Sequence, residues 1–329
     1  MFSTFSEKTL IVYLDQNKWI DLAKARVGRS DGQKYQAILE KIIEVVGQGK
    51  AIFPLSWVHL VETRKRRDLK KRKVLAEVMA EISQGIAIVP KSKIMDWELE
   101  RAIAMAFGET PSPMPSVFGY GMSMIFGRNF IEKEMNDQPH LKTDYLINRA
   151  KTILSDREAT VSFLVGDDED LNFKVVNGLK DINESFVARM EKSRRHDRGD
   201  NDDLQERVYL AVLTKELQPK LIPMLGNHDK TMNDFFLLGL NNVRKFFRNV
   251  PTLDAEIELA LSLNKHWDRK LKVNDTSDIA FACISIPYCD VVVTEIFLRT
   301  LAMRQKIDKK YNTKVISDLN DLLPILNSL

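Results

Sequence analysis

The sequence predicts an α/β fold in which a small parallel sheet is assembled from both ends of the chain around a helical middle. Three observations predict it. Short β-prone apolar runs near each end are followed by helical periodicity. These runs are apolar throughout rather than alternating, as strands covered on both faces are. The strand rhythm then disappears between about residues 93 and 268, where the pattern is mostly helical. The expected organisation is one domain from residues 1–92 and 269–329, interrupted by a helical insertion over 93–268.

The first strand is expected at Leu10–Leu14, a run that stops at Asp15. A helix over 21–26 should follow, then one over 35–46 with Ile38, Leu39, Ile42, Ile43 and Val46 at helical spacing. Gly47 and Gly49 end that pattern. A second strand is expected over 51–55, with Ser56 as the cap of a helix starting at Trp57. That helix is expected to carry Glu62 and to continue through a basic run, 64–73. Val74, Leu75, Val78, Met79 and Ile82 keep helical spacing until Gly85, and 86–89 gives a third strand. Two stretches of the middle look irregular: 111–127, rich in Pro, Gly, Ser and Met, and 193–203, dense in charge of both signs. Late in the chain come a helix over 278–286, a strand over 290–294, a helix over 296–310, a strand over 313–316 and a closing helix over 319–326.

Composition narrows the function classes only a little. The 329 residues are 44% hydrophobic and 29% charged, ordinary for a globular chain. With 49 basic and 46 acidic side chains the net charge is +3, so local clustering must point to any charged partner. The two cysteines, Cys283 and Cys289, have no metal-binding spacing and are expected as reduced thiols in a cytoplasmic protein. The N-terminal apolar run lacks a cationic lead and is too short for a signal core. No apolar stretch approaches the ~18 residues of a membrane span.

Four acids stand at comparable places. Asp15 and Glu295 end strands, Glu62 lies on the helix after the second strand, and Asp278 opens a helix with Asp275 three residues earlier. Functional groups of open α/β sheets gather beyond the carboxyl ends of the strands. Carboxylates packed together repel and raise one another's pKa, and a divalent cation reverses this. Oxygen donors suit Mg²⁺ or Mn²⁺, which can activate a water for attack at phosphorus. Singly, each acid is as readily a turn, cap or solvated helix residue; the pattern of four is what points to a site.

In order and placement these segments resemble the PIN-like nuclease family. Leu10 to Asp15 and Asn17 look like its opening strand with terminal aspartate. The segment from Pro54 through Ser56 to Glu62 is similar to the strand, serine and helix that supply its second acid. Asn274-Asp275-Thr276-Ser277-Asp278 resembles its third, and Asp290 to Glu295 its last strand. The whole set resembles the bacterial PIN-like branch with Asn-Asp-x-x-Asp and Pro-Tyr-Cys-Asp segments. The resemblance covers about half of the chain and implies a three-layer α/β/α fold. It also implies metal-dependent endonucleolytic cleavage, most often of single-stranded or structured RNA. Asp15, Glu62, Asp278 and Glu295 would be the catalytic metal ligands, joined by Asp275. Asn17, Ser56 and Thr294 would orient carboxylates or water. The last acid departs from the pattern: Glu295 directly follows Thr294, where the family usually has an aspartate one residue further on, which leaves Asp290 as the other possibility. The family allows a toxin or defence role, a homo-oligomer and an inhibitory partner. Two alternatives remain: a DNA nuclease of the same fold, and a degenerate module that binds nucleic acid or protein without cutting.

The basic run supplies the expected nucleic-acid contacts: Arg64, Lys65, Arg66, Arg67, Lys70 and Lys71, with Arg72 and Lys73 beyond. Lys192, Arg194, Arg195 and Arg198 offer a second group diluted by aspartates. Gly226-Asn227-His228-Asp229 is similar to an element of metallophosphoesterases, with Gly166-Asp167 as its upstream counterpart. Five histidines are too few for that chemistry, and a turn or cap is expected over 227–229.

Overall fold

The computed structural model describes residues 9–127, 152–153, 155–166, 202–265 and 273–329, the side chains of residue 202 and of 273–277 excepted. The chain opens with β1 (Leu10–Leu14), whose Val12, Tyr13 and Leu14 are fully buried, and continues into α1 (Gln16–Arg26). A 3-10 turn leads to α2 (Gln36–Gly47), which buries Ile38, Leu39, Ile42, Val45 and Val46 along one face. Gly49 reverses the chain at φ +68°, a conformation that suits a residue without Cβ. Then come β2 (Ala51–Ile52) and α3 (Trp57–Arg64).

Here the structure departs from the single basic helix that was expected. The helix stops at Arg64, and α4 (Leu69–Ser83) starts afresh from Asp68, whose side chain accepts the Lys71 N–H at 3.1 Å. Asp at such a position satisfies one of the orphan donors of a first helical turn. After β3 (Ile86–Ile88) and α5 (Lys91–Ala106), β4 (Phe118–Tyr120) forms inside the stretch expected to be irregular.

The middle then runs through α6 (Arg157–Val165), α7 (Asp202–Gly226), α8 (Met232–Leu237), α9 (Leu240–Arg248) and α10 (Pro251–Asn264). The C-terminal part comprises α11 (Val273–Tyr288), β5 (Val291–Val293), α12 (Ile296–Arg304), α13 (Ile307–Lys310), β6 (Lys314–Ile316) and α14 (Leu323–Asn327). The expected helix over 296–310 is broken at Lys306, which takes a left-handed conformation at φ 55°.

β1 lies between β2 and β5, with β6 outside β5, and all neighbours run parallel. The pairing of Leu14 with Val293 joins sequence ends nearly three hundred residues apart. β3 pairs antiparallel with β4, so it is not a full member of the parallel sheet. A single parallel bridge between Leu55 and Ala87 ties it to the segment after β2. One contiguous buried cluster runs from the sheet into the helical middle, where α10 packs along α11 and α5. Among the described residues, no helix is long and apolar enough to cross a membrane. Both cysteines are free and buried.

Candidate carboxylate site

Asp15 is the first residue beyond β1. Its N–H continues the ladder by donating to the Val293 carbonyl at 2.9 Å, and its own carbonyl starts α1 by accepting the Lys18 N–H at 2.9 Å. The backbone is therefore fixed on both sides, and the side chain emerges at the carboxyl edge of the sheet. That side chain is 93% buried. Burial pushes its carboxyl up to about 6, and the negative charges of Glu295 and Glu62 push in the same direction. The Gln16 N–H and the Lys18 charge oppose them without restoring the ordinary value.

The other acids reach this edge from separate elements. Glu295 directly precedes α12 without a side-chain capping bond and is exposed, and Asn17 Nδ2 donates to its Oε1 at 2.7 Å. Glu62 lies on α3, which is pinned to the end of β1 by His59. The His59 Nδ1 accepts the Ser56 N–H at 3.0 Å, which leaves Nε2–H to donate to the Leu14 carbonyl at 2.8 Å. Burial lowers the His59 pKa to about 4, so the ring is neutral and adds no cation here. Glu62 sits one turn further along and pairs with Lys65 at 2.7 Å.

Asp278 is placed by topology. The chain leaves α11 at Tyr288 and enters β5 at Val291, so the start of α11 faces the carboxyl end of the sheet. Phe281 stacks on Tyr13 with ring centroids 5.4 Å apart. Asp278, half-buried, lies one turn beyond Phe281, a rise of about 4.5 Å toward the edge. Asp275 falls in the first turn of α11, and its side chain lies outside the described residues.

Several expected roles change. Ser56 Oγ shares buried hydrogen bonds with the Tyr13 hydroxyl at 2.8 Å and with His59 Nδ1 at 3.3 Å. Thr294 Oγ1 is buried with no hydrogen-bond partner among the described residues. Asp290 is at the opposite end of the sheet, where its Oδ2 accepts the Ile11 N–H at 2.7 Å, so it does not replace Glu295. Asn17 donates to one of the expected acids, Glu295.

The basic run is divided by the helix break. Arg64 and Arg72 fold inward, although both were expected at a nucleic-acid surface. Arg64 donates to the Phe163 carbonyl, and Arg72 to the carbonyls of Val165 and Arg66. Free carbonyls at the end of α6 need donors, and these two guanidinium groups supply them. Lys65 and Lys71 pair with Glu62 and Asp68. Arg66, Arg67, Lys70 and Lys73 form no ion pair among the described residues. The second basic group, Lys192, Arg194, Arg195 and Arg198, lies outside them, as does Asp167. Residues 227–229 form the expected turn, and His228 there bonds Glu109 at 2.6 Å and Glu100 at 3.1 Å.

Two groups escaped the sequence reading. One is a partly buried aromatic row, Trp57, Phe126 and Phe163, exposed at Phe126. The other is a buried acid network around α10. Glu98 accepts the Thr252 N–H at 3.0 Å and the hydroxyls of Thr252 and Tyr288. Asp254 meets Arg248, Lys310 and the Tyr311 hydroxyl at 2.9, 2.6 and 2.7 Å. Glu256 meets Lys91, and the Tyr209 hydroxyl at 2.9 Å. The acids on α10 alternate with the apolar residues Leu253, Ala255 and Ile257, a signal that could have drawn attention to it.

Among the described residues, no three His, Cys, Asp or Glu side chains stand close enough to form a ready metal cage. The carboxylate edge nevertheless suits a hard divalent cation in its chemistry. Asp15 is under-neutralised, and Gln16 Oε1 and Thr294 Oγ1 are buried oxygens without hydrogen-bond partners among the described residues. Mg²⁺ commonly takes one or two carboxylates and fills its other positions with water and substrate phosphate. Comparison with protein-family models, curated proteins and solved structures finds no match for the chain.

Proposed function

We propose that this chain is a metal-dependent nuclease of PIN-like architecture that hydrolyses phosphodiester bonds, with RNA as the preferred substrate. The observation that carries the reading is Asp15, held buried at the carboxyl edge of the sheet under the negative fields of Glu295 and Glu62. Asp15, Glu62, Asp278 and Glu295 would hold Mg²⁺ or Mn²⁺. When bound, such an ion supplies Lewis-acid polarisation of a phosphoryl oxygen and a more acidic water. The remaining work falls to the chain. Asn17 fixes the rotamer of Glu295. His59 locks α3, and with it Glu62, to the end of β1. Arg66, Arg67 and Lys70 offer phosphate contacts beside α3. In the hydrolysis a water oxygen adds to phosphorus, the bond to the leaving sugar oxygen breaks, and that oxygen takes a proton.

The test is cleavage of an unstructured RNA in Mn²⁺. Asp15→Asn is expected to lower the rate roughly a hundredfold or more, and Asn17→Ala roughly tenfold. Unchanged cleavage by Asp15→Asn overturns the assignment. Parallel assays on single-stranded and duplex DNA separate the DNA-nuclease alternative. A second reading is a PIN-like module that binds nucleic acid without cutting; it is favoured by Glu295, which directly follows Thr294 where the resembled family usually has an aspartate one residue further on. Binding of RNA with no hydrolysis in Mg²⁺ or Mn²⁺ would select it.

A further inference from the structure

Trp57, the first residue of α3, meets Phe126 edge-on, with ring centroids 5.3 Å apart and planes at 72°. Phe126 meets Phe163 in the same way, at 5.9 Å and 78°. The Arg64 guanidinium closes the row, 5.4 Å from the Phe163 centroid. Trp57 and Arg64 are seven residues apart on α3, two helical turns, and so share one face. Three distant segments thus deliver their rings to a single strip. Phe126 is 41% exposed, while Trp57 and Phe163 are partly buried and pack against the core, so the strip is rooted in the protein and open to solvent at Phe126.

What surrounds the strip identifies its occupant. Arg66 and Arg67 follow at the end of α3, without ion pairs among the described residues. Glu62, one of the acids coupled to Asp15, is on the same short helix. Aromatic rings next to cationic side chains suit a ligand that combines flat π systems with regularly spaced negative charge. An unpaired nucleic-acid strand has both, whereas a duplex hides its base faces.

We propose that Trp57, Phe126 and Phe163 form a stacking platform for the unpaired bases of a single strand, which is thereby led toward the carboxylate edge. The strand's destination rests on the nuclease reading; the stacking does not.

The test uses the full chain in EDTA, where no metal-dependent cleavage occurs. The probes are a short oligothymidylate and a base-free sugar-phosphate strand of equal length. The oligothymidylate is expected to bind about tenfold more tightly and to quench Trp57 emission. Phe126→Ala should erase that preference while leaving the affinity for the base-free strand unchanged. Trp57→Phe should remove the quench. Equal affinity for the two probes in the unmodified protein overturns the platform, and so does an undiminished preference in Phe126→Ala. Should Phe126→Ala fail to fold, the probe preference and the quench in the unmodified chain still decide. A base preference without hydrolysis in Mn²⁺ would sink the nuclease reading alone. Hydrolysis without a base preference would sink the platform alone.

Discussion

On α10, Asp254 and Glu256 are buried, yet Arg248, Lys310, Lys91 and two tyrosine hydroxyls meet them directly. At the sheet edge Asp15 is almost as buried, but its neighbours include Glu295 and Glu62, and its pKa rises to about 6. The first group behaves as a weld. It joins α10 to α5, α7, α9 and α13 by pairing Asp254 and Glu256 with cations and hydroxyls. The second group keeps an uncompensated charge on a rigid strand end, and such an arrangement is where a cation or a phosphate-bearing substrate belongs. Burial of acids alone thus says little about function; the state of their partners separates the two roles.

The largest expected effect breaks the weld. Asp254→Ala strips the Tyr311 hydroxyl and Lys310 of their partner and Arg248 of one of its three carboxylates, and should cost about 3–5 kcal/mol in urea denaturation. A loss below about 1 kcal/mol would place this network with surface ion pairs and erase the contrast.

The opposite sign is expected at the edge. The Asp15 carboxyl has a folded pKa of about 6, above its ordinary 3.8, so the folded state holds its proton more tightly. Its favourable contribution is complete below pH 3.8 and is lost as pH rises through 6. Asp15→Asn should therefore stabilise the metal-free protein at neutral pH, by up to about 3 kcal/mol, and the gain should vanish in acid. Destabilisation at neutral pH would make Asp15 a structural acid like Asp254.

That asymmetry was only half legible in the sequence. Leu10–Leu14 and Val291–Val293 are uninterrupted apolar runs ended by polar residues, so these two strands could be placed from the sequence pattern. Partners could not. Nothing near Arg64 or Arg72 reveals that their guanidinium groups bond carbonyls at the end of α6, some ninety residues away. Ser56 bonds the Tyr13 hydroxyl, a contact created by sheet geometry. β4 is three residues with a central glycine, stabilised by pairing with β3 rather than by its own propensity. The aromatic row was invisible for the same reason, since its rings come from positions 57, 126 and 163.

His59 sharpens the comparison, because a protonated ring there would be the cation the edge lacks. Its folded pKa is about 4, below the ordinary 6.5, so acid favours the unfolded chain. The stability it confers is present above pH 6.5 and lost as pH falls through 4, up to about 3 kcal/mol. Nuclear magnetic resonance should find the His59 ring neutral at pH 6; a charged ring at that pH would mean the edge is already compensated.

The smallest effect concerns the cations left outside both groups. Arg67→Ala should weaken RNA binding a few-fold and lower the slope of log affinity against log salt by about one. An unchanged slope would remove Arg67 from the strand's path.

Mn²⁺ titration calorimetry of the unmodified chain and of Asp15→Asn decides whether Asp15 holds a metal ion. Saturable binding that releases protons near pH 6 is expected, with affinity and proton release both lost in Asp15→Asn. Equal Mn²⁺ binding by the two proteins, or none by either, would contradict that expectation.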